Sequence, residues 1–172
     1  MRILGIDPSM TSTGIVLLKN GELQWAYVLR TSPTKMWHGE YGELERLMWI
    51  VDHIPVNGID YVAMEGVAMM SRNTTALVQL SGLNYLIRKN LIDNSVGFKI
   101  IPPTVLKKFA TGKGNAKKEE IIEVVNKKYK KDIKDDNACD AFILALIGDA
   151  LMGGKTRLNK EQKKIIKTIQ NE

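Results

Sequence analysis

Three acidic residues stand where apolar segments stop or are interrupted. Asp7 follows Ile3-Leu4-Gly5-Ile6, Glu65 follows Tyr61-Val62-Ala63-Met64, and Asp140 lies among Ala138, Cys139, Ala141, Phe142 and Leu144. A carboxylate in such surroundings is costly unless it is paired or bound to a metal. Three or four acids around one point suit Mg²⁺ or Mn²⁺, and a pair of such ions can cleave a phosphodiester by in-line attack of water. Taken singly, each acid also has a plainer reading: Asp7 as a turn residue before Pro8-Ser9, Glu65 as an exposed strand end before Gly66, Asp140 as a solvent-facing helical acid. Only their joint placement points to one site, and it does so only if the fold brings positions 7, 65 and 140 together.

The elements that must do this can be read from periodicity and punctuation. Asn20-Gly21 lies between two β-rich stretches, a type I′ hairpin signal, because both central residues of that turn need positive φ. Strands are expected near 2–8, 11–18 and 23–30. From Glu40 the period becomes helical, with Leu44, Leu47, Met48, Val51 and Ile54 on one face until Pro55 and Gly58 end it. A strand over 60–66 follows. Asn73-Thr74-Thr75 offers caps for a helix carrying Leu77, Leu80, Leu83, Tyr85 and Ile87. A fifth strand at 96–101 is closed by Pro102-Pro103, and Thr104 is expected to cap a short helix through Phe109. Helices are expected at about 116–129 and 136–151. Beyond Gly153-Gly154, the Lys-rich tail 153–172 is expected to form a peripheral helix over 158–169. The class is α/β: a five-stranded mixed sheet, a three-strand antiparallel meander plus two parallel strands, flanked by helices. A right-handed crossover would set the first and fourth strands side by side, so that Asp7 and Glu65 meet at their carboxyl ends and the 136–151 helix brings Asp140 against them.

Composition sets the bounds. At 172 residues, 44% hydrophobic and 26% charged, the chain is neither disordered nor of a membrane class, and 1–152 reads as one domain. No apolar run reaches the roughly 18 to 20 residues that cross a bilayer, so no membrane partner is expected. Asp7 interrupts the N-terminus before a signal core develops, and a single cysteine suits a reducing compartment, so a cytoplasmic location is expected. The net charge of +6 and pI near 9.3 suit an acidic polymer as partner, with much of the surplus after residue 104. His38 and His53 do not pair with Cys139 at metal spacing, so zinc is not indicated; both read as structural or exposed. Cys139 reads as a small packed residue, and Trp25, Trp37 and Trp49 as core or interface residues. Ser81-Gly82 would permit close helix approach, with a dimer seam as one use. Lys127–Lys131 fits a solvated helix face as well as a phosphate contact.

Read in order, four motifs resemble the RuvC-type Holliday-junction resolvases, a branch of the RNase H-like nuclease superfamily. They are Ile3-Leu4-Gly5-Ile6-Asp7-Pro8-Ser9 with Thr13-Gly14; Met64-Glu65; Pro103, Lys107 and Gly112-Lys113-Gly114-Asn115-Ala116-Lys117-Lys118; and Asp136-Asn137-Ala138-Cys139-Asp140-Ala141. The resemblance spans about residues 1–150. It implies an RNase H-like nuclease domain over 1–152 and a homodimer that binds four-way or forked DNA. It further implies an endonuclease using Mg²⁺ or Mn²⁺, two ions per active site. By position Asp7, Glu65 and Asp140 match the metal-ligating carboxylates, and Lys107 and Lys118 match basic residues near the scissile phosphate. The Lys-, Ile- and Asn-heavy composition would suit an AT-rich bacterial or phage genome.

Two departures stand out. The family carries Asp or His three residues before the last Asp, where this chain has Asn137. Either Asn137 supplies a neutral amide oxygen to the metal, or Asp136, one residue earlier on nearly the same helical face, reaches it instead; the charge demand of a hard cation favours Asp136 as the fourth ligand. Sequence-selective members also place an aromatic residue after the glutamate, whereas Gly66-Val67-Ala68-Met69-Met70-Ser71-Arg72 has none. Stacking contributes about 1–3 kcal/mol per base, so weak sequence selectivity is expected, with Met69 and Met70 as soft substitutes. Expected DNA contacts are Ser9, Thr11, Ser12, Met69, Met70, Arg72, Lys107, Lys108, Lys113, Lys117 and Lys118, with turn capping as the plainer role of the three hydroxyls. Rival functions are a fork, flap or three-way-branch nuclease, a non-catalytic junction-binding protein, and, remotely, an actin-like ATP-dependent kinase. The last shares the Gly-Ile-Asp strand, but it needs two domains and a second phosphate loop.

Overall fold

Which way each acid faces is set by the two-residue alternation of a strand, so the sheet comes first. The structure, a computed structural model, describes residues 1–32, 41–67 and 74–171. Strands β1 (Arg2–Asp7), β2 (Ser12–Lys19), β3 (Glu22–Arg30), β4 (Tyr61–Glu65) and β5 (Gly97–Ile101) form one sheet in the order β3-β2-β1-β4-β5. β1, β2 and β3 pair antiparallel, while β4 pairs parallel with both β1 and β5. This is the mixed sheet expected from the sequence. Asn20 and Gly21 both take positive φ at the hairpin, 53° and 82°.

Helices α1 (Gly42–Asp52) and α2 (Thr74–Asp93) cover one face. The helices α3 (Pro103–Thr111), α4 (Lys118–Lys128), α5 (Asp136–Leu151) and α6 (Lys160–Asn171) cover the other. Alternation divides the core accordingly. Leu4, Ile6, Ile15, Val62 and Met64 pack with Leu47, Ile50, Leu83 and Ile87 under α1 and α2. Ile3, Val16, Leu18 and Ala63 pack with Phe109, Val125, Phe142 and Ile166 on the α5 side. Among the described residues no helix is long and apolar enough to cross a membrane.

Several details differ from the sequence reading. In α1 the buried face carries Leu47, Ile50 and Val51, whereas Leu44 and Met48 are exposed. The helix is turned because Arg46 lies inside: its Nε donates to Thr31 Oγ1 (3.0 Å) and its Nη2 to the Met10 carbonyl. Burial lowers the pKa of that guanidinium, and the bonds tie α1 to the β1–β2 loop. Tyr85 is exposed rather than part of the buried face of α2, which extends to Asp93. Thr104 is not a cap: α3 starts at Pro103, with extended Pro102 before it, since proline at the first helical position leaves no amide to satisfy. Helix α6 packs Ile166 and Ile169 inward, and its buried Gln162 donates to the Phe109 carbonyl (3.0 Å) and the Tyr129 hydroxyl (3.1 Å). Gly82 faces Leu47 of α1, so this position packs within the chain.

α5 is the central helix, buried over most of its length. It lies directly on β1 and β2 because Gly5 and Gly14 present no side chain. A Cβ on Gly5 would fall 1.9 Å from the Ala141 carbonyl oxygen, and one on Gly14 2.1 Å from that of Asn137. Replacing Gly5 by Ala therefore forces α5 to lift, with an expected loss of about 3 kcal/mol or more. An unchanged urea midpoint in Gly5→Ala would show that the helix is not seated this way.

Candidate catalytic centre

Parity along β1 puts Asp7 on the same face as Ile3 and Gly5, the face that α5 covers. Parity along β4 likewise puts Glu65 with Ala63 on that face. The parallel register Gly5↔Ala63 and Ile6↔Met64 brings Asp7 level with Glu65. On its other side Asp7 pairs with Gly14, against which the Asn137 backbone rests. Asp140 lies between the two helical contact points, Asn137 and Ala141, and so enters the same space. Sheet order, strand parity and the glycine contacts thus bring together three acids that are 58 and 75 positions apart.

Their electrostatics follow from this crowding. Asp7 is pushed well above the usual carboxylate range by burial first, then by the charges of Glu65 and Asp140. Glu65 is raised by burial, while a hydrogen bond with Asp7 and the charges of Lys107 and Lys118 pull it back. Asp140 is raised to about 7 by burial and by Glu65, against Lys118 and Lys107. The Asp7 and Glu65 carboxyls lie within hydrogen-bonding reach of one another. Among the described residues Asp140 Oδ1 is buried with no hydrogen-bond partner.

Among the described residues no group of three His, Cys, Asp or Glu side chains is arranged as a ready metal cage. The donor chemistry nevertheless fits a hard divalent cation: all-oxygen ligands, carboxyls whose ionisation is disfavoured by burial and mutual repulsion, and an orphaned Asp140 oxygen.

The remaining sequence candidates separate into groups. Lys107 and Lys118 both act on the acids through their charge. Lys118 also forms an ion pair with Asp136; that bond raises the Lys118 pKa and lowers that of Asp136. Asn137 directs its amide nitrogen to Asp135 and Asp136, each at 3.4 Å. Lys113 pairs with Glu120 (3.7 Å), and the Lys117 backbone amide donates to the same carboxylate (2.8 Å). Lys108 lies beside Ile165 and Thr168 in a groove between α3 and α6. The Ser9 hydroxyl is within 3.3 Å of the Thr11 hydroxyl and accepts from the Thr11 and Ser12 amides, which shapes the β1–β2 loop. Met69, Met70 and Arg72 lie outside the described residues, as do Trp37 and His38. His53 is exposed and stacked on Trp49, and the buried Cys139 thiol is pushed up to about 12, as suits a packed residue rather than a nucleophile.

Three supporting residues escaped the sequence reading. Asp135 caps α5 by accepting from the Asn137 and Ala138 amides, and it pairs with Arg30 of β3 at 2.6 Å. An acid immediately before an apolar run is a capping signal that could have identified it. Asp149 is fully buried and accepts from the Thr156 amide and hydroxyl, fixing the turn that leads to α6. Asn84 donates to the Glu65 carbonyl at 3.0 Å. Nothing in the local pattern distinguishes the last two from surface residues.

The profile of the crossover junction endodeoxyribonuclease RuvC family matches residues 3–148. A relative named crossover junction endodeoxyribonuclease RuvC, from a Nitratiruptor species, is 28% identical over 152 residues, covering 85% of this chain and 94% of that protein. Among solved structures, Thermus thermophilus RuvC has a TM-score of 0.64 at 20% identity, covering 92% of this chain and 100% of that one. T. thermophilus RuvC in complex with Holliday junction substrate has a TM-score of 0.63 at 18% identity, covering 84% and 90%. The structural likeness concerns the fold.

The raised Asp140 pKa has a measurable consequence without divalent metal. Below about pH 4 both folded and unfolded chains hold its proton. As the pH rises the unfolded chain releases it first, near 3.8, and the folded state loses relative stability until its own carboxyl ionises near 7. A loss on the order of 3 kcal/mol is expected across that window. Urea unfolding in EDTA from pH 4 to 8 should show a flatter profile for Asp140→Asn, and equal slopes for the two proteins would refute the assignment.

Proposed function

The chain belongs to the crossover junction endodeoxyribonuclease RuvC family, and from that premise we propose that it is a metal-dependent, structure-selective endonuclease that cleaves Holliday junctions or related branched DNA. The observation that carries the reading is the meeting of Asp7, Glu65 and Asp140 beside Lys107 and Lys118, with one Asp140 oxygen buried and unpartnered. The T. thermophilus relative was solved with Holliday junction substrate, which supports the choice of DNA.

In this reading Asp7, Glu65 and Asp140 hold two Mg²⁺ or Mn²⁺ ions. Bound there, such ions lower the pKa of water and neutralise charge on an attacked phosphate. The chain's own residues do the rest. The three carboxylates, whose ionisation burial disfavours, would be held in their charged forms by the bound cations, and β1, β4 and α5 fix their positions rigidly. Lys107 and Lys118 attract the phosphate and offset its developing charge. Lys118 can shift between Asp136 and the incoming strand, so Asp136 tunes that lysine whether or not it also reaches a metal. Lys108, Lys113 and Lys117 extend the basic margin, and with Ser9, Thr11 and Ser12 would contact the backbone without reading sequence. The absence of an aromatic residue from 66–72 supports weak sequence selectivity and tolerance of forks. Residues 1–152 form the catalytic unit in this reading, with α6 of the 153–172 tail clamped on its flank.

Two symmetric incisions need two centres, and a homodimer would provide them. Val78, Tyr85 and Ile92 of α2 are 69%, 68% and 65% exposed at seven-residue spacing, an apolar stripe suited to the same helix of a second copy. Tyr85→Lys is expected to shift the protein to monomer in sedimentation velocity; an unaltered dimer would move the seam elsewhere.

Activity is tested with labelled four-way, three-way and linear DNA in Mg²⁺, Mn²⁺ or EDTA. Nicks near the branch point are expected only with metal. Asp7→Asn, Glu65→Gln and Asp140→Asn should reduce nicking by about a hundredfold or more while still binding the junction, because removing negative charge does not weaken attraction to phosphate. Asp136→Asn is expected to impair nicking more than Asn137→Ala. Equal cutting of linear duplex would contradict branch selectivity, and cutting at a single tetranucleotide would contradict weak sequence selectivity.

A further inference from the structure

Asn84 is 1% exposed on the face of α2 that otherwise buries Leu83, Ile87 and Leu91. A buried amide among aliphatic side chains is costly, so its bonds matter. Its Nδ2 donates to the backbone carbonyl of Glu65 at 3.0 Å, just where β4 ends. On the far side of the same peptide unit the Gly66 amide donates to the Ile101 carbonyl of β5 at 2.9 Å. The peptide following the Glu65 side chain is thus gripped from both sides, by α2 and by β5. Without the first grip, the last residue of β4 would lead directly into the loop with one restraint fewer.

Among the described residues Asn84 Oδ1 is buried without a hydrogen-bond partner, and so, one helical turn later, is Arg88 Nε. An unused acceptor and an unused donor four residues apart on one helix are complementary. Both residues line a cavity of about 440 Å³ that also reaches Gly66 and Val67, roomy enough for a bridging water. The Arg88 guanidinium is in turn held 4.9 Å over the Tyr85 ring, on the exposed stripe of α2.

We infer that Asn84, oriented by Arg88 through one bridging water, is a positioning residue for Glu65: the pair fixes the end of β4 so that the Glu65 carboxylate is presented to the divalent cation. This deepens the nuclease reading and rests on it. Arg88 orients the amide so that its nitrogen faces the Glu65 carbonyl, and loss of either residue loosens the same peptide. Their effects therefore belong to one relay and do not multiply.

The test is Mn²⁺ affinity of the DNA-free protein, read from the electron paramagnetic resonance of free Mn²⁺, with melting temperature and junction binding in EDTA alongside. Asn84→Ala should weaken Mn²⁺ binding about tenfold, with junction binding unchanged. Asn84→Ser, whose hydroxyl can still donate to a carbonyl, should recover part of that loss. Arg88→Met, which keeps the stem and removes the donor, should give a smaller loss, and Asn84→Ala/Arg88→Met should bind no more weakly than Asn84→Ala. If Asn84→Ala does not fold, Asn84→Ser and Arg88→Met carry the comparison against the unmodified chain. Unchanged Mn²⁺ affinity in folded variants, or losses that multiply in the double variant, overturns the relay. Failure of the unmodified chain to bind Mn²⁺ or to nick DNA would instead overturn the nuclease reading beneath it.

Discussion

The backbone of α5 rests on that of β1 at Gly5, with no side chain between them, and the centre depends on that contact. Aspartate is a short side chain. Asp140 enters the space beside Asp7 because the helix axis is brought close to the sheet, and only a strand residue without a Cβ permits this. The same seating explains why α5 is apolar on nearly every side, with Phe142, Ile143, Leu144 and Ile147 all buried. A helix surrounded by β1, β2, β4 and α4 cannot rotate or slide to relieve an awkward neighbour. Its acid therefore stays where packing puts it.

That rigidity is what makes the electrostatics useful. Left free, three carboxylates would separate and hydrate; here the fold imposes their proximity and burial raises all three pKa values. Lys107 and Lys118 offset part of the repulsion, but Lys118 is shared with Asp136. The acids thus carry an unmet demand for positive charge, a local instability that the surrounding core over-determines. Asp135 contributes from the other direction: it caps the first turn of α5 and ties it to β3 through Arg30, anchoring the end of the helix closest to the acids.

Much of this was legible in the sequence wherever the cause was local. Asn20-Gly21 specified a hairpin because few dipeptides accept positive φ twice, and the alternation of apolar residues marked the strands. The limits of α5 followed from its long apolar run between polar flanks. What could not be read has its cause in distant partners. Helix α1 is turned by Arg46, whose acceptors are Met10 and Thr31. Periodicity counted Leu44 and Met48 as core and had no means of placing an arginine inside. Thr104 resembled a cap, but Pro102 and Pro103 already met the geometric need of that helix start. The exposure of Tyr85 and the burial of Asn84, neighbours on one helix, depend on which face α1 and β4 cover. Asp136 and Asn137 share nearly one helical face, and charge alone favoured Asp136 as ligand; its ion pair with Lys118, eighteen positions earlier, could not be read from the sequence.

Strand parity also constrains how such a chain can vary over evolutionary time. Asp7 and Glu65 face α5 only because each stands an even number of residues from Gly5 and Ala63. One inserted or deleted residue inside β1 or β4 would carry the carboxylate through the sheet to the face under α1 and α2, and would exchange both core layers with it. Point substitutions can be absorbed one at a time, but length changes in these two strands cannot. Lineages of this fold should therefore differ in length in the connections between elements while the two short acid-bearing strands keep a fixed reading frame, and a shape fitted to a new substrate must be reached through the loops.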